Sequence, residues 1–325
     1  MTAPRRVFIT GALGFIGRAT AREFGRAGCE VIGVDLRADA GAGVVPGDTS
    51  RPGPWQRHLA GCDLVVHTAA VVSNAVGADE QWRVNVLGTR RVLDAARDAG
   101  VDRLIHLSSI RAFSDTAFPD GVDEQWPVRT DGNPYVDTKV ASEQVVLQAH
   151  AAGEVSCTVV RPGDVYGPGS RPWTVIPVQM LRAGTFALPA MGRGIFSPVY
   201  VEDLTGALLL MATTEAAAGR VITITGGVGV PTAEFFGHYA RMLGCRPPRL
   251  VPTSVALAAA GVFAGTARLR GRATENNPAT VRYLARNGTY SIELARTLLG
   301  YTPRVDLEEG MRRTEAWLRA EGMLG

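Results

Sequence analysis

Apolar and polar positions alternate along the first half of the chain in a way that separates strands from helices. "RVFIT" at 6–10 is a short, nearly unbroken apolar run bounded by glycine, and "CEVIGVD" at 29–35, "DLVVH" at 63–67, "RLIHLSS" at 103–109 and "SCTVVR" at 156–161 repeat that texture. Between them the apolar period lengthens to that of a helix. Gly14 to Ala27 reads as one helix that stops at Gly28, and Tyr135 to Ala152 as another. Glu80 to Ala99 places Trp82, Val86, Val92, Leu93 and Ala96 at helical spacing before Gly100, a common helix stop. Strands buried on both faces, each followed by a helix, predict βαβ units and a parallel sheet.

After Arg161 the pattern changes. Gly and Pro become frequent over 162–198, one strand returns at "RVITIT", and the last hundred residues read as helices. The prediction is an α/β fold of the Rossmann type, a doubly wound parallel sheet with a smaller, mostly helical C-terminal part. Residues 1–165, joined again by 199–225, would form the dinucleotide-binding domain, and 166–198 with 226–325 the substrate-binding part. No internal repeat or low-complexity linker interrupts it.

Composition changes this picture little. The 325 residues are 46 % hydrophobic and 20 % charged with a net charge of +3, an ordinary globular balance. The arginines form no run of five, so nucleic acid is not an expected partner. "MTAPRRVFIT" enters the first strand with no signal-peptide core, and Cys29, Cys62, Cys157 and Cys245 form no C-x-x-C; a reduced cytoplasm is expected. The uncharged stretch Leu250 to Ala267 is too short and too rich in Ala, Gly, Ser and Thr for a membrane span. It reads as a buried helix, with contact to a membrane surface as the alternative.

The first chemical signal is "TGALGFIG" at 10–17. Gly11, Gly14 and Gly17 lie where the first strand turns into the first helix. The first glycine suits a tight turn, the second a close-approaching diphosphate, the third helix–strand packing, with the N–H groups around Phe15 and Ile16 opening the helix. Asp35 ends the second strand, 24 residues after Gly11, where a carboxylate can accept both adenosine ribose hydroxyls and repel a 2′-phosphate. NAD is therefore expected over NADP, although Arg37 is close by.

The second signal is "YVDTK" at 135–139. Lys139 is the only lysine in a chain whose other 33 basic residues are arginine. Residues i and i+4 share a helix face, so Tyr135 and Lys139 would enter one site. A nearby ammonium favours the phenolate of a tyrosine that is otherwise a poor base. Lysine, a compact point charge, can also hold ribose hydroxyls where arginine's fork would not fit.

These residues resemble the extended short-chain dehydrogenases/reductases, with their NAD-dependent epimerase/dehydratase and 3β-hydroxysteroid dehydrogenase-like branches. "TGALGFIG", "GDTSRPGPWQRHLAGCDLVVHTAA", "VNVLGTRRVLDAA", "LIHLSS", "YVDTK", "RPGDVYGPG", "VYVEDL" and the tail from "YSIELARTLLGY" occur in that family's order. The resemblance implies that Asp48 contacts the adenine amino group, that Ala69 and Ala70 line the cofactor, and that Asn85 supports the site. Thr49, Pro162 and Val165 complete the implied cofactor set. Ser109 matches the catalytic hydroxyl, with Ser108 an alternative because adjacent serines blur the register. Ser109, Phe113, Asp164, Tyr166 and Phe196 form the implied substrate set, although Phe113, Trp173, Phe196 and Tyr200 also suit plain core packing. A homodimer through the helices at 80–99 and 135–152 is implied as well.

The branch is read from departures. Asp164 stands where nucleotide-sugar enzymes carry Asn in R-P-x-N-V-Y-G-P, Phe196 and Ser197 stand where they carry Arg, and Ile110 and Arg111 replace the acidic pair of sugar dehydratases. An aspartate beside a diphosphate is repelled. The expectation is an NAD-dependent oxidoreductase that interconverts a secondary alcohol and a ketone on a hydrophobic or polycyclic small molecule. The hydroxysteroid branch is favoured, with a nucleotide-sugar epimerase or dehydratase as the alternative. A regulator that merely binds NAD would not need both Tyr135 and Lys139. His58, His67, His106, His150 and His238 have no metal-binding spacing and read as structural.

Overall fold

The computed structural model describes residues 3–115 and 119–324. Seven parallel strands form the central sheet: β1 (Arg6–Thr10), β2 (Glu30–Asp35), β3 (Val44–Pro46), β4 (Leu64–His67), β5 (Arg103–Leu107), β6 (Ser156–Pro162) and β7 (Val221–Ile224). Their order across the sheet is β7-β6-β5-β4-β1-β2-β3, with the reversal of winding beside β1. Successive side chains of a strand face opposite sides. Val7, Ile9, Val66, Ile105 and Ile222 therefore meet α1 (Phe15–Arg26) and α4 (Val201–Thr213) on one face. Phe8, Val65, Leu104 and Val159 meet Trp55, α2 (residues 78–98) and α3 (Pro134–Ala151) on the other. Both faces are dry, so the strands read as continuous apolar runs.

A second core lies beyond the sheet. Tyr166, Phe186, Phe196, Phe235, Phe236 and Tyr239 pack with Val305, Met311 and Leu318, drawing on α5 (Thr232–Leu243) and α8 (Leu307–Ala320). Between those helices run α6 (Thr253–Leu269) and α7 (Pro278–Ala285).

Two elements differ from the sequence reading. The α2 run is not a plain α-helix but holds a π-turn at Trp82–Leu87, and Trp82 at its start is 45 % exposed. The stretch expected to be a buried helix is a helix but lies on the surface. Only Ala260 of α6 is buried, while Val255, Val262, Phe263 and Leu269 are each more than half exposed. Alanine and glycine remove so little area from water that their clustering does not dictate burial. No helix among the described residues is long and apolar enough to cross a membrane.

Candidate active site

The predicted chemistry gathers at the C-terminal ends of β1, β4, β5 and β6, the crevice that open parallel sheets offer to ligands. Gly11 adopts φ +65°, and a Cβ there would lie 2.9 Å from the Ala69 backbone. A Cβ on Gly17 would overlap the Gly11 carbonyl oxygen, so helix and loop approach as closely as glycine permits. Gly14 is the N-cap of α1 with no side-chain cap, and no acidic residue stands in the first turn. The N–H groups from Phe15 onward are thus left for an anion, and this uncapped, side-chain-free cradle fits a dinucleotide diphosphate.

Asp35 closes the loop from the side. Its Oδ2 accepts the Leu13 N–H at 2.9 Å and its Oδ1 the Leu36 N–H at 2.7 Å, leaving lone pairs for ribose hydroxyls. Arg37 is exposed two residues on. Asp48 accepts the Ser50 N–H at 2.9 Å and its hydroxyl at 2.6 Å, and faces Arg83 at 3.2 Å. Burial opposes the Asp48 anion, but Ser50 and Arg83 outweigh it and hold the carboxyl below its usual range. Thr49 is buried beside it. Asn85, at the π-turn, binds the Val71 N–H at 2.7 Å, the Val71 carbonyl at 3.1 Å and the Thr138 hydroxyl at 3.1 Å. This latches the turn that carries Ala69 and Ala70 to α3. Pro162 and Val165 are buried at the end of β6.

Asn133 caps α3 by accepting the Tyr135 N–H at 3.0 Å, and Pro134 occupies the first turn. That start fixes Tyr135 and Lys139 one turn apart, with the Lys139 ammonium 5.9 Å from the Tyr135 ring centroid. Lys139 donates to the Leu107 carbonyl at 2.7 Å and is 4 % exposed. Burial lowers its pKa to about 8, partly offset by Glu143. The adjacent serines face different partners. Ser108 donates to Glu143 at 2.5 Å, a carboxylate gripped at both oxygens by Arg161 at 2.9 and 2.7 Å. Ser109 accepts the Arg111 N–H at 3.1 Å, and its hydroxyl stands near enough to Tyr135 to favour the phenolate. Burial raises Tyr135 above the usual phenol range, and the groups that pull it back are Arg111 first and Ser109 next.

His67 and His106 stack at 5.3 Å beside this cluster. His67 falls to about 3 through burial and then Lys139, and His106 falls well below its ordinary value for the same reasons. Both stay neutral, held by Thr10 at 2.7 Å and Ser142 at 3.0 Å.

The other residues of the expected substrate set are all enclosed by packing. Phe113, Tyr166 and Phe196 are 1 %, 2 % and 1 % exposed. Phe113 lies under the Arg161 guanidinium at 4.5 Å, Tyr166 packs edge-on to Phe235 at 5.3 Å, and Phe196 meets Trp173 at 4.9 Å. Asp164 is equally enclosed, bound to Arg286 at 2.7 Å, to the Tyr283 hydroxyl and to the Ser197 N–H at 2.8 Å. Burial raises its pKa against the pull of Arg286. Sequence reasoning missed Asn74, Arg111, Asn133, Thr138 and Tyr283. Only Asn133 carried a readable signal, the Asn-Pro pair that opens a helix.

The family model described as "NAD dependent epimerase/dehydratase family" matches residues 7–225. The chain belongs to that family. This member is 28 % identical over 333 residues to a 2-alkyl-3-oxoalkanoate reductase of Stenotrophomonas maltophilia, covering 96 % of this chain and 98 % of the relative. It is 30 % identical over 270 residues to the 3beta-hydroxysteroid-dehydrogenase/decarboxylase isoform 1 of Arabidopsis thaliana, covering 78 % of this chain and 62 % of that longer protein. Among solved structures it resembles MoeE5 in complex with UDP-glucose and NAD, with a TM-score of 0.78, 27 % identity and coverage of 97 % and 99 %. The epimerase/dehydratase family member described here is accordingly an extended short-chain dehydrogenase/reductase with a Rossmann-like sheet.

Proposed function

We propose that this chain is an NAD-dependent oxidoreductase that interconverts a secondary alcohol and a ketone on a hydrophobic small molecule. The observation that carries this reading is the buried convergence of three groups: Ser109, Tyr135 and, one turn on from the tyrosine, Lys139. In the oxidative direction Tyr135 removes the proton from the substrate hydroxyl, while Ser109 donates to the same oxygen and holds it in place. Lys139 supports the phenolate and is placed for ribose hydroxyls. Gly11, Gly14, Gly17 and the first turn of α1 hold the diphosphate, and Asp35 favours NAD over NADP. When bound, NAD supplies the hydride acceptor.

A simple ketone or alcohol is favoured over a nucleotide sugar because Phe196 and Ser197 stand where the nucleotide-sugar enzymes carry arginine. The reductase and dehydrogenase relatives support the same class, whereas MoeE5 with its UDP-glucose supports the epimerase/dehydratase alternative. The part built from 166–198 and 226–325 would cover the substrate. A cytoplasmic homodimer through α2 and α3 completes the proposal, favoured by exposed Trp82 and Leu87.

The test is to screen 3-oxoacyl compounds, steroids and nucleotide sugars with NAD and with NADP, following the absorbance of the reduced cofactor. Turnover of a ketone or alcohol is expected. Conversion of a nucleotide sugar with no net change in cofactor would replace this reading with the epimerase.

A further inference from the structure

Arg111 follows the two serines, where it was read only as a departure from the sugar dehydratases. In the structure its guanidinium lies over two tyrosine rings, 5.0 Å from the Tyr135 centroid and 4.7 Å from that of Tyr283. It is thus nearer the Tyr135 ring than the Lys139 ammonium, which lies at 5.9 Å. Three contacts fix its orientation. Asp115 accepts from Nε at 2.9 Å and from Nη2, and Asn74 accepts from Nη1 at 3.1 Å. The same Asn74 oxygen accepts from Asn133 at 3.0 Å, the residue that caps the helix carrying Tyr135. Arg111 is 8 % exposed, so little water screens it.

We propose that Arg111 is a positioning residue for Tyr135, a permanent cation on the ring face that favours the deprotonated phenol alongside Lys139. The inference rests on the reading of Tyr135 as the proton acceptor. A cation over an aromatic face is attracted by the ring's electrons, and it interacts more strongly still once the ring carries a full negative charge. The two cations act over different pH ranges. Lys139 loses its proton above about 8, whereas a guanidinium remains charged throughout the range in which a protein is folded.

The other charged and titratable groups facing Tyr135 work both ways. Asp115, on the same connection as Arg111, and Asp164, on the short strand Asp164–Tyr166, oppose the anion; Ser109 and Arg111 favour it. Tyr283 and Arg286 come from α7 and its end, with the Arg286 guanidinium 3.9 Å from the Tyr283 centroid on its own account. Asp115 and Asn74 hold the guanidinium over both rings at these distances.

A purely mechanical role for Arg111 makes a different prediction, namely loss of stability or activity with no change in where the phenol titrates. The test places difluorotyrosine at position 135, whose more acidic phenol titrates before alkaline unfolding, and follows its single fluorine NMR signal against pH in the full chain without substrate. Arg111→Gln is expected to raise the midpoint by about one unit or more, the shift an opposite charge at this range produces. Arg111→Lys should raise it by less than half as much. An unmoved midpoint in Arg111→Gln overturns the proposal. If that variant does not fold, Asp115→Asn gives the opposite sign: its midpoint must fall, and an equal or higher value overturns the proposal. Because no turnover is measured, a moving midpoint in a protein inert toward every ketone would sink the functional reading and leave this one standing.

Discussion

Lys139→Met is expected to make the protein more stable while removing its activity. The ammonium is 4 % exposed and its pKa falls from 10.5 to about 8. At roughly 1.4 kcal/mol per unit this is about 3 kcal/mol of destabilisation, carried whenever the lysine is charged in the folded state. The sign follows from linkage. Between pH 8 and 10.5 the unfolded chain keeps the proton and the folded one releases it, so stability rises with pH across that window and the full cost is present below it. Methionine fills similar space without a charge but leaves the Leu107 carbonyl without its 2.7 Å donor, which costs about 1 kcal/mol. The variant should therefore gain about 2 kcal/mol at pH 7. That advantage should shrink and then reverse by pH 10.5, where wild-type Lys139 is neutral and still hydrogen-bonded. Urea unfolding of both proteins at neutral and alkaline pH reads the difference, and alkaline titrations common to both cancel in it. A variant no more stable than wild type at pH 7, or a difference unaffected by pH, would refute the reasoning.

Other expectations concern separate parts of the site. Tyr135→Phe should lower turnover by about 10²–10⁴, the range for loss of a general base, and Ser109→Ala by about 10²–10³, with cofactor affinity from fluorescence titration nearly unchanged; full activity in Tyr135→Phe removes the proposed mechanism. Gly17→Ala drives a methyl onto the Gly11 carbonyl oxygen and should cost about 1–3 kcal/mol in thermal unfolding. Asp164→Asn leaves the buried Arg286 guanidinium without its anion and should cost about 3–5 kcal/mol in urea. A much smaller loss would mean that Asp164 is not the structural partner its contacts indicate.

The sheet and the glycine loop were legible in the sequence because each writes a local rule into it. Strands dry on both faces appear as apolar runs, and a turn that tolerates no Cβ at Gly11 or Gly17 must be glycine. The Tyr135–Lys139 pair was legible because one helical turn fixes it. Whatever depended on partners far along the chain was not. Arg111 with Asp115 four residues on looks like a solvent-facing helix pair, and only folding brings Tyr283 and Asn74 around it. Tyr166 and Phe196 lie within or near family motifs, but the rings they pack against, Phe235 and Trp173, come from other parts of the chain. The surface position of α6 was also hidden, since its small uncharged residues satisfy a buried and an exposed setting about equally.

The single lysine can now be understood from its surroundings. Its buried ammonium donates to one carbonyl, that of Leu107, and lies over the Tyr135 ring. A guanidinium there would carry five N–H donors into a place that satisfies one, and each unmet donor would cost a buried group's desolvation. Arg111 meets the converse conditions: a carboxylate to receive two N–H bonds, an amide oxygen for a third, and two aromatic rings within 5.0 Å of its central carbon. Lysine could not use that geometry. A chain that otherwise replaces lysine with arginine thus keeps one of each beside the same phenol, and in each case the shape and donor count of the surroundings select the residue.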